Sequence, residues 1–105
     1  MELVQKNSRL VNFILRNTKI DHVGRVGFPL MNMGDAWNVF VGLGLESTRV
    51  TFHNEEPYCF IKAFGEDTYE RVSSGGKTCE EAFCRCIVKL LGGDDNEILG
   101  EIHID

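Results

Sequence analysis

The segment Gly75–Gly93, GGKTCEEAFCRCIVKLLGG, constrains the fold most strongly because it carries both end signals of one amphipathic helix. Thr78 stands at the expected N-cap position, and Glu81 three residues later completes the pattern of a capping box. Gly92 is placed to end the helix as a C′ glycine. Apolar residues recur at steps of three and four, which predicts one stripe that faces a core: Cys79, Ala82, Phe83, Cys86, Ile87 and Leu90.

Three segments before this helix have the composition and alternation of β-strands: Thr48–His53, Tyr58–Phe64 and Thr68–Ser74. Short turns join them, and consecutive strands with short connections usually pair. The middle segment is apolar on both faces apart from Lys62, which predicts a central strand that is covered on both sides. We therefore predict a three-stranded antiparallel meander with Phe60 in the core.

Two further helices are predicted before the strands, over residues 2–17 and 33–43. Four apolar residues of the second are predicted to share its core-facing side: Ala36, Trp37, Phe40 and Val41. The connection 18–34 is rich in turn-forming residues and is predicted to be irregular, with a short extended piece at Val23–Phe28. Helices on both faces of the sheet would make an α/β/α sandwich, which belongs to the α+β class.

The net negative charge of the chain is accounted for by its C-terminal end. Residues 94–105 hold five acidic residues and no Lys or Arg: Asp94, Asp95, Glu97, Glu101 and Asp105. Subtracting these five from the 16 acidic residues leaves 11, which equals the number of Lys and Arg residues. We predict a single domain over residues 1–93, followed by an acidic tail or, because Ile98–Ile104 alternates, a fourth edge strand.

This charge distribution favours a protein partner. A neutral body lacks the electrostatic signature of nucleic-acid binding, so we expect no direct contact with DNA or RNA. The acidic residues 94–105 can instead present negative charge to a basic protein surface, such as that of a nucleic-acid-binding effector. No apolar run approaches the roughly 18 residues of a membrane span, and the N-terminal segment has no leader pattern. We therefore expect a cytoplasmic protein that does not contact membranes.

The cysteines are interpreted as buried free thiols. Cys84 and Cys86 are two residues apart on a helix and point about 200° apart, so they cannot chelate one metal ion together. A metal site that combines Cys84 with His53 or His103 is the alternative, although the usual zinc ligand set is incomplete. No motif places a base beside a nucleophile, so we expect no catalytic residue, no cofactor and no enzymatic activity.

A small ligand pocket is one reading of the residues around the start of the C-terminal helix. Gly76 and Thr78 lie at a helix N-terminus, where backbone N–H groups attract anions. Tyr69 and Arg71 share one face of the preceding strand and could frame such a pocket. The competing interpretation is a tight strand–helix connection beside a solvated strand face.

Two signatures in this sequence resemble those of the phage ABA-sandwich domain family. Ala36–Trp37 matches the Ala-Trp pair of a mid-chain helix, and a second set matches the C-terminal helix: Gly76, Thr78, Ala82 and Cys84–Arg85. The last helix is also similar to that of NinX-type small phage proteins. The resemblance covers roughly residues 30–92. It implies an α/β/α sandwich and a phage-linked role to which no general chemistry is attached.

Two functional hypotheses follow. The first is a small phage or mobile-element accessory protein that binds and antagonises a host protein in the bacterial cytoplasm, as an anti-CRISPR inhibitor does. It draws on the resemblance, the lack of a catalytic constellation and the acidic C-terminal segment. The alternative is a ligand-binding module, for example a homo-oligomer, that sequesters a nucleotide signal molecule.

Overall fold

The structure is a computed structural model, and it describes residues 2–20, 23–44, 47–53, 55–64 and 69–101. Helices and strands follow one another in this order: α1 (Leu3–Asn17), α2 (Val23–Val26), α3 (Met33–Gly42), β1 (Ser47–His53), β2 (Tyr58–Phe64), β3 (Tyr69–Gly75), α4 (Cys79–Leu90) and α5 (Asp95–Leu99). The predicted α+β class is confirmed.

Within the described residues, the sheet has three strands in the order β1-β2-β3, and both neighbouring pairs are antiparallel. The predicted meander with β2 at its centre is therefore confirmed. The register places Phe60 of β2 opposite Thr51 of β1 and Ser73 of β3. Because side chains alternate along a strand, each row of three paired residues points to one face of the sheet.

Helix α4 packs against one face of the sheet and forms the centre of the core. Cys59 and Ile61 of β2 are completely buried on this face. Phe83 of α4 meets Phe52 of β1 edge-on, with 5.4 Å between the ring centroids. Every residue from Glu81 to Val88 is buried, because α1, α3 and α5 pack against the parts of α4 that the sheet leaves open.

The prediction that β2 is covered on both faces is wrong for its described side chains. Tyr58 is 38% exposed, and Phe60 and Lys62 are half-buried on the face opposite to α4. Lys62 Nζ and the Arg71 guanidinium lie 5.7 and 5.9 Å from the centroid of the Phe60 ring. Long cationic side chains thus shield this ring in place of a helix. An α/β/α sandwich is therefore not confirmed.

Helix α3 buries only part of the predicted face, since Ala36 and Phe40 are buried as expected and Trp37 and Val41 are not. Its buried residues are Ala36, Val39 and Phe40, whereas Trp37 is 44% and Val41 is 64% exposed. The Trp37 ring lies at the edge of the core, with its centroid 5.6 Å from those of Phe40 and Phe83. The prediction is wrong at Val41 because this short helix contacts the core through a narrow stripe of side chains, Ala36, Val39 and Phe40, which does not include Val41.

The connection before α3 is more ordered than predicted. Residues Val23–Val26 form the short helix α2 where an extended piece was expected. Asn7 of α1 holds the following turn, since its Oδ1 accepts from Leu30 N–H at 3.2 Å. Asp35 of α3 accepts from Phe28 N–H at 3.0 Å. Gly27 has φ +65°, and a Cβ there would lie 2.6 Å from Asp35 Oδ2, so both backbone and packing require glycine.

Both ends of α4 agree with the sequence signals. The Thr78 hydroxyl accepts from Glu81 N–H at 3.1 Å, which confirms the N-cap. At the other end, Gly92 has φ +81°, and the Gly92 and Gly93 N–H groups donate to Lys89 and Val88 carbonyls, both at 3.0 Å. These two bonds form a Schellman motif, which satisfies carbonyls that the helix end leaves open.

Residues 94–101 form neither a free tail nor an edge strand. Asp94 caps the short helix α5 by accepting from Asn96 N–H at 3.0 Å, and Leu99 is completely buried. Helix α5 packs against α1 and α4. The predicted strand Ile98–Ile104 is therefore wrong at its start, and its part beyond residue 101 lies outside the described residues. Burial of the apolar Leu99 side chain favours packing of this segment against α1 and α4.

We predict that β2 is sensitive to truncation on one face only. Ile61→Ala should lower the free energy of unfolding by about 2–5 kcal/mol, because the lost methylene groups leave a cavity under α4. Phe60→Ala should cost clearly less, since Phe60 keeps contact with water. Guanidinium chloride titrations of both variants provide the measurement. An equal or larger loss for Phe60→Ala would contradict the described faces of the sheet.

Candidate functional site

The acidic residues predicted to bind a partner do not form one free surface. Asp95 is buried, and its carboxylate accepts a hydrogen bond from Arg85. Asp94 is exposed, but its carboxylate is used as the N-cap of α5. Glu97 and Glu101 are exposed, and Asp105 lies outside the described residues. Only part of the predicted negative surface is therefore available to a partner.

Arg85 joins the C-terminal segment to the centre of α4. Its side chain is completely buried, and Nη1 lies 2.9 Å from Asp95 Oδ2. Nη2 donates to the Gly100 carbonyl at 2.7 Å and lies 3.3 Å from Glu81 Oε1. Its Nε has no partner among the described residues. A buried guanidinium needs such partners to offset desolvation, so this cluster has a structural role.

A second cation supports the same carboxylate. Lys89 Nζ lies 4.0 Å from Asp95 Oδ1 and donates to the Ser73 carbonyl of β3 at 2.8 Å. Asp95 is therefore placed between Arg85 and Lys89. This compensation explains how an acidic residue from the C-terminal segment can be buried.

The predicted ligand pocket is already filled at the start of α4. One Glu81 oxygen accepts from the Lys77 N–H, and a Cβ at Gly76 would lie 2.8 Å from that same oxygen. Thr78 is occupied as the N-cap. The protein's own carboxylate thus takes the position at which an external anion would meet this helix end. In a capping box the Glu81 carboxylate would accept from the Thr78 N–H. Here it accepts from the Lys77 N–H, one residue earlier.

The other residues of that predicted pocket lie elsewhere. Arg71 is exposed on the sheet face opposite to α4, four residues before Gly75 along β3, which corresponds to about 13 Å. The Tyr69 side chain lies outside the described part of the structure. The structure therefore brings Gly76 and Thr78 together but leaves Arg71 apart from them.

A cleft of about 540 Å³ lies between α1 and the turn from α4 to α5. Residues of opposite charge line it, including Arg9 and Arg16 from α1 and Asp94 and Glu97 from the other side. Arg9 donates to the Glu97 carbonyl at 2.6 Å, which connects the two walls. Its volume lies within the range of small-molecule sites. Sequence reasoning missed it because the two walls are about 80 residues apart in the chain.

An apolar surface lies on and beside α3. We define the α3 surface as four exposed residues: Phe28, Met31, Trp37 and Val41. Phe28 is 57% exposed, and its backbone is tied to Asp35 in the first turn of α3. Trp37 and Val41 are one helical turn apart, so their side chains are neighbours. This surface is not evident from the sequence, because the helical periodicity predicts that Trp37 and Val41 face the core.

The cysteines agree with their interpretation as free thiols. Cys59, Cys84 and Cys86 are buried, and Cys79 is half-buried. Burial raises the pKa of the Cys84 thiol. The pKa of the Cys59 thiol is also raised, mainly by a side-chain hydrogen bond with Cys86 and secondly by burial. Raised pKa values keep these thiols protonated and unreactive. Among the described residues, no group of three His, Cys, Asp or Glu side chains could hold a metal ion.

Comparison with protein-family models, with curated proteins and with solved structures finds no match to this chain. The resemblance to the ABA-sandwich family therefore stays a prediction. Among the described helices, none is long and apolar enough to cross a membrane.

We predict that Asp95 and Glu97 differ sharply although they share one short helix. Asp95→Ala should lower the free energy of unfolding by about 3–5 kcal/mol, because it leaves the buried Arg85 charge without its closest carboxylate. Glu97→Gln is the control and should change it by no more than about 0.5 kcal/mol, since the side chain is exposed. Urea denaturation followed by circular dichroism measures both. Equal effects would mean that the Arg85–Asp95 pair does not hold α5 in place.

We predict that thiol reactivity follows burial. One thiol, that of Cys79, should react with a chromogenic disulfide reagent in the folded protein, and the other three should react only after unfolding. The Cys79→Ser variant should show no fast phase. A fast phase that persists in this variant would show that a thiol described as buried is accessible.

Proposed function

We propose that this protein acts by binding a second protein through the α3 surface and that it is not an enzyme. The observation that carries the proposal is the exposure of Trp37 and Val41 one turn apart on α3, with Phe28 and Met31 also exposed in the turn that precedes this helix. Soluble proteins rarely leave large contiguous apolar areas in water without a use. Tryptophan and methionine are also enriched at interfaces, and tryptophan in particular at their energetic centres.

The charge near the α3 surface indicates the chemistry of the partner. Helix α3 has Asp35 in its first turn and no basic residue in its last turn. The chain as a whole carries a formal charge of −5. The matching surface is therefore an apolar groove with a basic rim, which fits a nucleic-acid-binding effector. Glu97 and Glu101 are exposed and can add to the attraction at longer range.

The proposed setting is a bacterial cytoplasm in which a phage or mobile element produces this protein. Its role there is to antagonise a host protein, as an anti-CRISPR-type inhibitor does. The support for this setting is the resemblance of the Ala36–Trp37 pair and of the C-terminal helix to the ABA-sandwich family.

The test compares two valines of similar exposure on different helices. Val41 on α3 is 64% exposed, and Val4 on α1 is 62% exposed. Affinity purification from bacterial host lysate, followed by mass spectrometry, should recover a partner with the wild-type protein and with Val4→Ser. Val41→Ser should weaken binding to that purified partner at least about tenfold, as loss of a central apolar contact does.

Three results would count against the proposal. The first is equal binding by Val41→Ser and Val4→Ser, which would exclude the α3 surface. The second is a wild-type protein that is a dimer in light scattering and becomes a monomer in Val41→Ser, because the α3 surface would then join two copies of this chain. The third is recovery of no partner from any host lysate.

A second candidate function is the sequestration of a nucleotide signal molecule, and the α1–α5 cleft is the observation that favours it. Arg9 and Arg16 can meet phosphate oxygens, and Asn12 lies between them on α1. Stabilisation by a nucleotide should raise the melting temperature of the wild-type protein, and Arg16→Ala should abolish the rise. An equal rise in both proteins would exclude the cleft.

A further inference from the structure

The outer edge of strand β1 has backbone groups that no other strand uses. In the sheet order β1-β2-β3, and among the described residues, β1 pairs only with β2. In an antiparallel ladder each residue directs both its N–H and its C=O to the same side, and this side alternates along the strand. Every second residue of β1 therefore presents a donor and an acceptor at the outer edge.

A hydrogen bond beside β2 fixes the direction of this alternation. The Gly76 N–H donates to the Pro57 carbonyl at 3.2 Å. These two residues continue the register of β2 and β3 by one position, because the neighbouring pair is Tyr58 with Gly75. Pro57 therefore directs its carbonyl to β3, and Tyr58 directs its N–H and C=O to the other side, which is β1.

The alternation carries over to β1 through its own register. Tyr58 pairs with His53, so His53 and, two residues earlier, Thr51 direct their backbone groups to β2. Val50 and Phe52 alternate with them and direct their N–H and C=O groups to the outer edge. Within the part of the chain that the structure describes, neither residue has a hydrogen bond at this edge.

The outer edge of β3 is partly occupied by the protein's own side chains. By the same alternation, Ser73 and Gly75 direct their carbonyls away from β2. Lys89 Nζ donates to the Ser73 carbonyl at 2.8 Å, and the Ser74 hydroxyl donates to that of Gly75 at 3.1 Å. Natural sheets protect their edges in such ways, since a free edge can pair with another chain. Of the two described edges, β1 is therefore the more open one.

The sequence of β1 also lacks most of the features that protect an edge. Ser47–His53 contains no proline and no glycine, and all seven residues pair with β2 without a bulge. Arg49 is its only Lys, Arg, Asp or Glu residue. Threonine, valine and phenylalanine, which make up most of the rest, favour strands. A regular edge of this kind is a template for one more strand.

The side chains beside this edge are apolar and incompletely covered. Val50 and Phe52 lie on the sheet face that α4 covers, yet both are only half-buried, because α4 packs mainly on β2 and β3. The Phe83 ring of α4 has its centroid 5.4 Å from that of Phe52 and 5.6 Å from that of Trp37. The β1 edge and the α3 surface thus meet at one ring, so a single partner can contact both.

We propose that the partner protein contributes a β-strand that pairs antiparallel with the outer edge of β1. This inference deepens the protein-binding function proposed above and rests on it, because the same partner contacts the α3 surface. The added strand forms hydrogen bonds with the backbones of Val50 and Phe52. Antiparallel pairing is the geometry of both existing strand pairs and is the commoner one overall. In this recognition mode, β-augmentation, main-chain bonds supply the affinity.

The register defines the chemistry of the added strand. Residues opposite each other in an antiparallel pair point to the same face, so the residues that bond to Val50 and Phe52 also face the side of α4. These positions should be apolar, because they cover two half-buried apolar side chains. The alternate positions face the side of Arg49 and Thr51, which are both exposed, and should be polar. The occupant is therefore an extended segment with alternating apolar and polar residues.

A synthetic peptide of sequence KTVTVTVTK with blocked ends is the probe, because its valines and threonines alternate. Nuclear magnetic resonance titration of the isotope-labelled wild-type protein should shift the amide signals of Val50 and Phe52 most. N-methylation of the valines should abolish binding, since the valines direct their N–H groups to β1. N-methylation of the threonines is the matched control and should change the affinity by no more than about threefold, because their N–H groups face solvent.

Two substitutions at Val50 separate its backbone from its side chain. Val50→Pro removes the outward N–H and keeps the bonds to β2, since proline is tolerated on an edge strand where the N–H faces solvent. It should weaken peptide binding at least about tenfold, as the loss of a backbone hydrogen bond predicts. Val50→Thr keeps the N–H and should change binding by no more than about threefold. Circular dichroism melting checks that both variants fold, and the methylated peptides test the edge in the wild-type protein whatever the variants do.

The proposal fails if the wild-type protein does not bind the peptide at about 1 mM, where even a weak site is half occupied. It also fails if methylation of the valines and of the threonines has the same effect. A wild-type dimer that becomes a monomer in Val50→Pro would show that the edge pairs with a second copy of this chain instead.

The α3 surface is tested separately from the β1 edge. Val41→Ser should leave peptide binding unchanged, because the peptide contacts only β1, whereas both Val41→Ser and Val50→Pro should weaken binding of the partner recovered from lysate. Loss of partner binding in Val41→Ser without loss in Val50→Pro would overturn the strand addition and leave the proposed function standing. Loss in Val50→Pro without loss in Val41→Ser would instead exclude the α3 surface.

Discussion

The structure depends on the burial of one guanidinium at the centre of helix α4. Arg85 is completely buried, and it can stay there only because carboxylates of Glu81 and Asp95 and the Gly100 carbonyl surround it. A buried charge without such partners would cost several kcal/mol. The requirement draws residues 94–100 onto the helix, which completes the cover of α4 and buries Leu99.

This internal pairing also decides where charge remains available for binding. Glu81 and Asp95 are used inside the molecule, and Asp94 is used to cap α5. The acidic character that is obvious in the sequence is therefore only partly present at the surface. On the sheet, three cationic residues from three separate strands lie in one row of the register: Arg49, Lys62 and Arg71. The net charge therefore does not show which charged side chains are available to a partner, whereas the contacts of each residue do.

Much of the fold was predictable because local signals in this chain are strong. Thr78 and Gly92 mark the ends of α4 by capping chemistry, which needs no tertiary contact. The strand order followed from short connections between alternating segments. The candidate surfaces were less predictable. The sequence predicts Trp37 and Val41 for the core because helical periodicity identifies apolar positions but does not show whether another element covers them.

The sequence by itself determined the α+β class, the order of the strands and the limits of α4, since periodicity and capping act within a few residues of each other. Only the tertiary structure decided which faces are covered. Among the described elements, it packed α1, α3 and α5 against α4, left Phe60 and Tyr58 in contact with water, and folded residues 94–101 onto α4 around Arg85. These outcomes depend on pairing between residues far apart in the chain, and no local pattern encodes which partner a buried charge or an apolar face will find.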